Sequence, residues 1–176
     1  MTTNILISGF GGQGVLFTGK FLAYEGLLEN KEVTWLPSYG PEMRGGTASC
    51  SVIISDDPIG SPLVPKPDVL IAMNLPSLDK FEKDVVPGGL IFYDSSLIGR
   101  EVERKDVKAF AIPATKMASD EGVTTLANMI VMGKMLKETS MFPAETIDKT
   151  LAKVVSARKL DLLEMNKKAI QMGFEL

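Results

Sequence analysis

One run of glycines, set between an apolar stretch and a helical pattern, constrains this chain more than any other feature. Ile5-Leu6-Ile7-Ser8 reads as a strand. Gly9-Phe10-Gly11-Gly12-Gln13-Gly14 follows at once, and a helical pattern opens at Val15. Strand, glycine turn and helix in this order aim backbone N–H groups at a phosphate. Glycine takes dihedrals that other residues avoid and lets an anion approach the backbone. Gly9, Gly11 and Gly14 satisfy G-x-G-x-x-G, a pattern that gains meaning only between a strand and a helix. The alternative is a tight strand-to-helix turn that binds nothing.

The helix after the glycines is expected over Val15–Glu29, with Phe17, Phe21, Tyr24 and Leu28 along one face. Gly19 and Gly26 lie inside it and each cost about 1 kcal/mol against alanine. Close packing on a sheet accounts for them. Lys20 stands roughly 9 Å along the axis from the first turn. It either reaches back toward a ligand or is a solvated surface lysine.

Val33–Pro37 reads as a second strand. A dinucleotide site expects an acid about 20 residues beyond the glycines, but this strand runs out in Leu36-Pro37-Ser38-Tyr39. NAD binding is therefore disfavoured. The loop Ser38–Gly46 mixes glycines and a proline with Tyr39, Glu42 and Arg44, and closes on Gly45-Gly46. Glycines beside an arginine suit an anion or a partner; the charges could equally be ordinary solvated ones. Thr47–Ser55 alternates as a strand and carries Cys50, expected as a small core residue.

Further strands are expected at Val69–Met73, Leu90–Asp94 and Lys108–Ile112. Helices are expected at Leu75–Lys83, Ala114–Asp120, from a Thr124 or Thr125 cap to Glu138, from Pro143 to Val154, and over Ala157–Met172. Asn74 either caps its helix or meets a ligand at the strand's end. Asn128 falls on a helix buried nearly all round, so it needs partners from the protein or from a ligand. The alternation predicts an α/β fold: a three-layer α/β/α domain with a largely parallel, Rossmann-like sheet and a helical C-terminal tail. The tail either packs on the sheet or faces a partner.

Composition removes several chemistries. The chain has 176 residues, suited to a single domain, and a net charge of −3, which gives no basic footprint for nucleic acid. No apolar run approaches a membrane span, and the first residues lack the pattern of a signal peptide. One cysteine permits no internal disulfide and cannot hold an iron–sulfur cluster alone; a cytoplasmic location is expected. There is no histidine, which removes the commonest general base and metal ligand. No catalytic residue and no metal site are assigned.

Four motifs, in order, resemble the gamma subunits of 2-oxoacid:ferredoxin oxidoreductases, a group of pyruvate, 2-oxoisovalerate and 2-oxoglutarate enzymes. They are Gly9–Val15, Tyr39–Gly46, Pro67–Asn74 and Ala127-Asn128-Met129. Related domains occur in indolepyruvate oxidoreductases. The resemblance covers nearly the whole chain, and the first two motifs together are specific. It implies a single gamma-type domain over residues 1–176. It also implies a reaction in which 2-oxoacid, coenzyme A and oxidised ferredoxin give acyl-CoA, carbon dioxide and reduced ferredoxin. This chain shows no thiamine motif and no cysteine cluster, so thiamine diphosphate and iron–sulfur clusters are expected on partner alpha, beta and ferredoxin-like delta subunits. Coenzyme A contacts implied by the resemblance are Gly9, Gly11, Gly12, Gln13, Gly14, Lys20 and Asn128. Tyr39, Glu42, Arg44, Gly45 and Gly46 are implied at a subunit boundary or beside the active centre. The rivals are a stand-alone Rossmann-type nucleotide-binding enzyme and a scaffold subunit without a ligand.

Overall fold

The computed structural model of the chain describes residues 1–38, 47–156 and 159–176. Strand β1 (Thr2–Phe10) leads through the glycines into α1 (Val15–Leu28), followed by β2 (Glu32–Ser38), β3 (Thr47–Ser55) and β4 (Val69–Ala72). Next come α2 (Leu75–Phe81), which ends in a 3-10 turn (Glu82–Asp84), then β5 (Leu90–Asp94), β6 (Lys108–Ile112) and α3 (Ala114–Asp120). The last elements are α4 (Ala127–Thr139), α5 (Ala144–Val154) and α6 (Leu160–Phe174). Among the described residues, no helix is long and apolar enough to cross a membrane.

The α/β architecture is as expected, but the sheet is mixed, with the order β2-β3-β1-β4-β5-β6. β1, β4, β5 and β6 pair in parallel, whereas β3 runs antiparallel to both β1 and β2. The cause is the short connection between β2 and β3. A parallel return needs a crossover of a dozen or more residues, usually a helix, and this segment is too short for one. β3 therefore folds back and inserts between β1 and β2, leaving β2 at the sheet's edge.

Strand residues alternate between two cores, as a sheet covered on both faces requires. Ile5, Ile7, Ile71 and Phe92 point into the larger one, with residues of α1, α3, α4, α5 and α6. Leu6, Leu70, Ile91 and Tyr93 point into the smaller one, with Leu78 of α2 and Ile98 and Val102 of the loop after β5. The three layers are thus unequal.

Helix α1 lies on the sheet through Gly19 and Gly26, as close packing predicts. Of the aromatic face, Phe21 is fully buried, but Leu28 is 38% exposed. A Cβ at Gly19 would collide with Cys50 and touch Trp35, and one at Gly26 would lie 2.7 Å from Val33. The two glycines let the backbone sit directly on side chains of β2 and β3. Burial pushes the Cys50 thiol up to about 12, as befits a core residue.

Helix α4 starts at Ala127, later than a cap at Thr124 or Thr125 would place it, and Leu126 caps it with no side-chain bond. The preceding residues spend themselves on turns: the Val123 N–H bonds the Ala118 carbonyl, and the Leu126 N–H bonds the Val123 carbonyl. α4 is buried nearly all round, and α6 packs across it. The two cross at glycines in a reciprocal way. A Cβ at Gly133 would strike the Ile170 carbonyl, and one at Gly173 would strike the Ile130 carbonyl.

Glu25 is fully buried where α1 meets α5. Its Oε2 lies 2.5 Å from the Thr146 hydroxyl, which also lies 2.8 Å from the Pro143 carbonyl. A hydroxyl has one hydrogen and a carbonyl only accepts. A protonated Glu25 resolves the conflict by donating to Thr146, which donates to Pro143. Burial raises the Glu25 pKa above its ordinary 4.5 despite lowering by the hydroxyls of Thr146 and Thr150; the nearby Glu29 adds to the rise.

Two measurements check these packing arguments. Gly173→Ala should destabilise the chain by about 1–3 kcal/mol in denaturant titration, the range for overpacking. Gly99→Ala, with open space around it, should change stability by less than about 0.5 kcal/mol. For Glu25 the raised folded pKa gives a stabilising contribution complete below pH 4.5 and lost as pH rises through the folded value. Glu25→Gln should abolish that loss, so its Tm advantage over wild type should widen from pH 4.5 upward. Parallel Tm curves would show that Glu25 does not titrate there.

Candidate ligand site at the glycine turn

Strand β1 runs on through Gly9 and Phe10, so the turn is only Gly11–Gly14. Its shape is held by Gln13. The Phe10 N–H donates to Gln13 Oε1 (2.6 Å), and Gln13 Nε2 donates to the Met73 carbonyl just beyond β4 (3.0 Å). The Gln13 N–H closes the turn on the Phe10 carbonyl (3.2 Å). Gln13 thus pins the turn to the carboxyl edge of the sheet. Asn74 takes the capping role, accepting from the Ser77 N–H at the start of α2 (2.9 Å).

Three of the four glycines, Gly9, Gly12 and Gly14, are each required for a different reason. At Gly9 a Cβ would lie 2.7 Å from Gln13 Oε1 and 2.9 Å from Met73. Gly12 has φ +89° with open space around it, so the dihedral alone demands glycine there. Gly14 is the left-handed N-cap of α1 (φ 74°), and a Cβ on it would run into the Asn128 amide. Gly11 is exposed and lies outside the left-handed region.

Among the described residues, no side chain caps the N-terminus of α1, which follows this turn, and its first turn has no acid. The first intrahelical bond from the cap is Thr18 N–H to the Gly14 carbonyl (2.9 Å). The N–H groups of Val15, Leu16 and Phe17 therefore have no partner within the helix, and the helix dipole adds partial positive charge at this end. An anion set against Gly11 and Gly12 would meet donors and positive potential.

Asn128 reaches this turn from α4. Its Nδ2 donates to the Gly14 carbonyl (3.2 Å) and to Thr18 Oγ1 (2.9 Å). It is 3% exposed, and its Oδ1 has no partner among the described residues. Sequence reasoning singled out Asn128 but missed Thr18, whose hydroxyl also bonds the Gly14 carbonyl (3.1 Å). A polar residue four positions beyond a glycine cap was the available signal. Lys20 is not gathered with them. Its Nζ lies 5.9 Å from the Tyr24 ring centroid, a turn farther from the loop.

Tyr39, Glu42, Arg44, Gly45 and Gly46 lie outside the described residues. The strands that flank them fix one relation: Thr47, the first residue of β3, pairs with Phe10, which opens the glycine turn. The end of β2, where a dinucleotide fold would carry its ribose acid, is separated from β1 by β3. Two strand spacings amount to roughly 10 Å.

Residues 4–176 match the family described as pyruvate ferredoxin/flavodoxin oxidoreductase. The ketoisovalerate oxidoreductase subunit VorA of Methanothermobacter thermautotrophicus is 40% identical over 97% of this chain, and the chain spans only 35% of that protein's length. The gamma subunit of a keto/oxoacid ferredoxin oxidoreductase from Geobacter sulfurreducens is 31% identical. It superposes with a TM-score of 0.82 over 98% of this chain and 96% of its own. A 2-oxoglutarate:ferredoxin oxidoreductase from Magnetococcus marinus, solved with 2-oxoglutarate, coenzyme A and succinyl-CoA bound, shares the fold. Its TM-score is 0.86 at 24% identity, covering 98% of this chain and 30% of that one. The chain belongs to the pyruvate ferredoxin/flavodoxin oxidoreductase family and has the fold of its gamma subunits.

Proposed function

We propose that this chain is the gamma subunit of a heteromeric, cytoplasmic 2-oxoacid:ferredoxin oxidoreductase, and that its glycine turn holds the phosphates of coenzyme A. The observation that carries the reading is the N-terminus of α1, which no side chain caps among the described residues, following the exposed Gly11 and Gly12. Coenzyme A brings a diphosphate, which suits free N–H groups at a helix start. Its ribose carries a 3′-phosphate, so no acid is wanted where a dinucleotide fold supplies one. A stand-alone nucleotide enzyme fits less well, because β3 displaces the strand that would carry that acid.

In this reading the chain binds and orients. Coenzyme A supplies the thiol that accepts the acyl group. One cysteine and no histidine cannot ligate an iron–sulfur cluster here, so cluster and thiamine chemistry fall to alpha, beta and ferredoxin-like delta subunits. Gln13 and Asn128 keep the turn open from beneath. Lys20 would swing from Tyr24 along its flexible stem to meet a phosphate. Tyr39, Glu42, Arg44, Gly45 and Gly46 are assigned to the boundary with the partner subunits or to a place beside the active centre.

The test uses the assembled complex and the KM for coenzyme A in 2-oxoacid-dependent viologen reduction. Gly11→Val places a branched side chain on the exposed turn at an ordinary dihedral, and should raise that KM at least tenfold while Tm holds. Gly12 is a poorer probe, since its positive φ strains any replacement. An unchanged KM in the folded Gly11→Val complex would overturn the proposal. Lys20→Ala should weaken coenzyme A by about 1.5–3 kcal/mol, the range for a hydrogen bond to a charged group. If Lys20 meets the 3′-phosphate, dephospho-coenzyme A should erase the difference between variant and wild type. An equal loss of affinity in both would assign that phosphate elsewhere.

A further inference from the structure

Helix α5 is held on the domain by a small buried contact. Of its 11 residues, Thr146, Thr150 and Leu151 are buried, and Ile147 and Val154 add partly buried apolar contact. Both threonines stand beside the carboxyl of Glu25, which is fully buried on α1. The polar half of the contact therefore turns on one titratable group.

A single chain of hydrogen bonds carries it. Thr146 Oγ1 lies 2.5 Å from Glu25 Oε2 and 2.8 Å from the carbonyl of Pro143, the N-cap of α5. With Glu25 protonated, the acid donates to Thr146 and Thr146 donates to the cap. Ionised, Glu25 only accepts. The one hydrogen of Thr146 then serves the carboxylate or the cap, not both. Thr150 is near, but neither its hydroxyl nor Glu25 Oε1 has a hydrogen-bond partner among the described residues. A buried charge so poorly paired is costly.

No cation among the described residues offsets that charge. On α1, Glu29 opposes it, and Lys20 stands against Tyr24 instead. α5 keeps Glu145, Asp148, Lys149 and Lys153 exposed. On α4, which also meets α1, Lys134 pairs with Glu138 and Lys137 is exposed. Of the strands beneath, β3 brings Cys50, which lies under Gly19, and β2 brings Glu32, which is exposed.

We propose that Glu25 is a pH-sensitive clasp: protonated it holds α5 on α1, and its ionisation releases α5. The released carboxylate meets water, which ends the conflict at Thr146. The opening is local, since α4 and α6 keep their own glycine crossing. Val154 of α5 and Val155, its C-cap, line a cavity that Gly14 also lines, so the movement reaches the back of the glycine turn.

Hydrogen exchange of the full chain, followed segment by segment and corrected for the intrinsic rate at each pH, tests the clasp. Opening that ionises one carboxyl becomes about tenfold more favourable per pH unit, from pH 4.5 until the raised folded value is passed. The α5 amides should lose protection at that rate, while those of α2, on the other face of the sheet, hold theirs. Glu25→Gln keeps an N–H for Thr146 and cannot ionise, so its α5 should stay protected throughout. Constant α5 protection in wild type would overturn the clasp and leave any charge on Glu25 to the dipole at the first turn of α5. A loss shared equally by α2 would overturn it as global unfolding. A slope that survives in Glu25→Gln would overturn it by assigning the titration to another group. If Glu25→Gln does not fold, the comparison of α5 with α2 in wild type decides.

Discussion

The hydrogen bond from the Asn128 amide to the Gly14 carbonyl holds the site together. It joins residues 114 positions apart in the chain. Gly14 is where the sheet hands over to α1, and Asn128 sits in the first turn of the most buried helix. Whatever sets the height of α4 over the sheet therefore also sets the start of α1. The glycine crossing of α4 with α6 braces α4, because Gly133 and Gly173 bring the two backbones into contact.

Local order in the sequence made much of the fold legible. Thr47–Ser55, Leu90–Asp94, Lys108–Ile112 and Ala114–Asp120 have the expected limits, because each combines a clear period with glycine, proline or charged punctuation. The reversal of β3 was not read, although the short link before it carried the information. Pairing order is a non-local property, and period alone does not rank one neighbour above another.

The candidate site was legible as a place more than as a set of roles. The glycine pattern located the turn, but only the backbone shows that Gly12 is there for its dihedral and Gly9 for its neighbours. Gln13, read as a ligand contact, is hydrogen-bonded into the turn itself. Glu25 sits on a helix face where a charge is expected to meet water, and the three-residue chain through Thr146 to Pro143 needs tertiary contact to appear.

Cys50 gives the closest approach of α1 to the sheet a chemical meaning. Its thiol lies under Gly19, fully buried and held in the unreactive protonated form. An alkylating reagent reaches it only when the helix lifts from β3, and only the thiolate reacts. The one cysteine of the chain is therefore a built-in clock for local opening. Its modification rate counts how often the platform behind the glycine turn comes apart, and a ligand gripping that turn would slow the count.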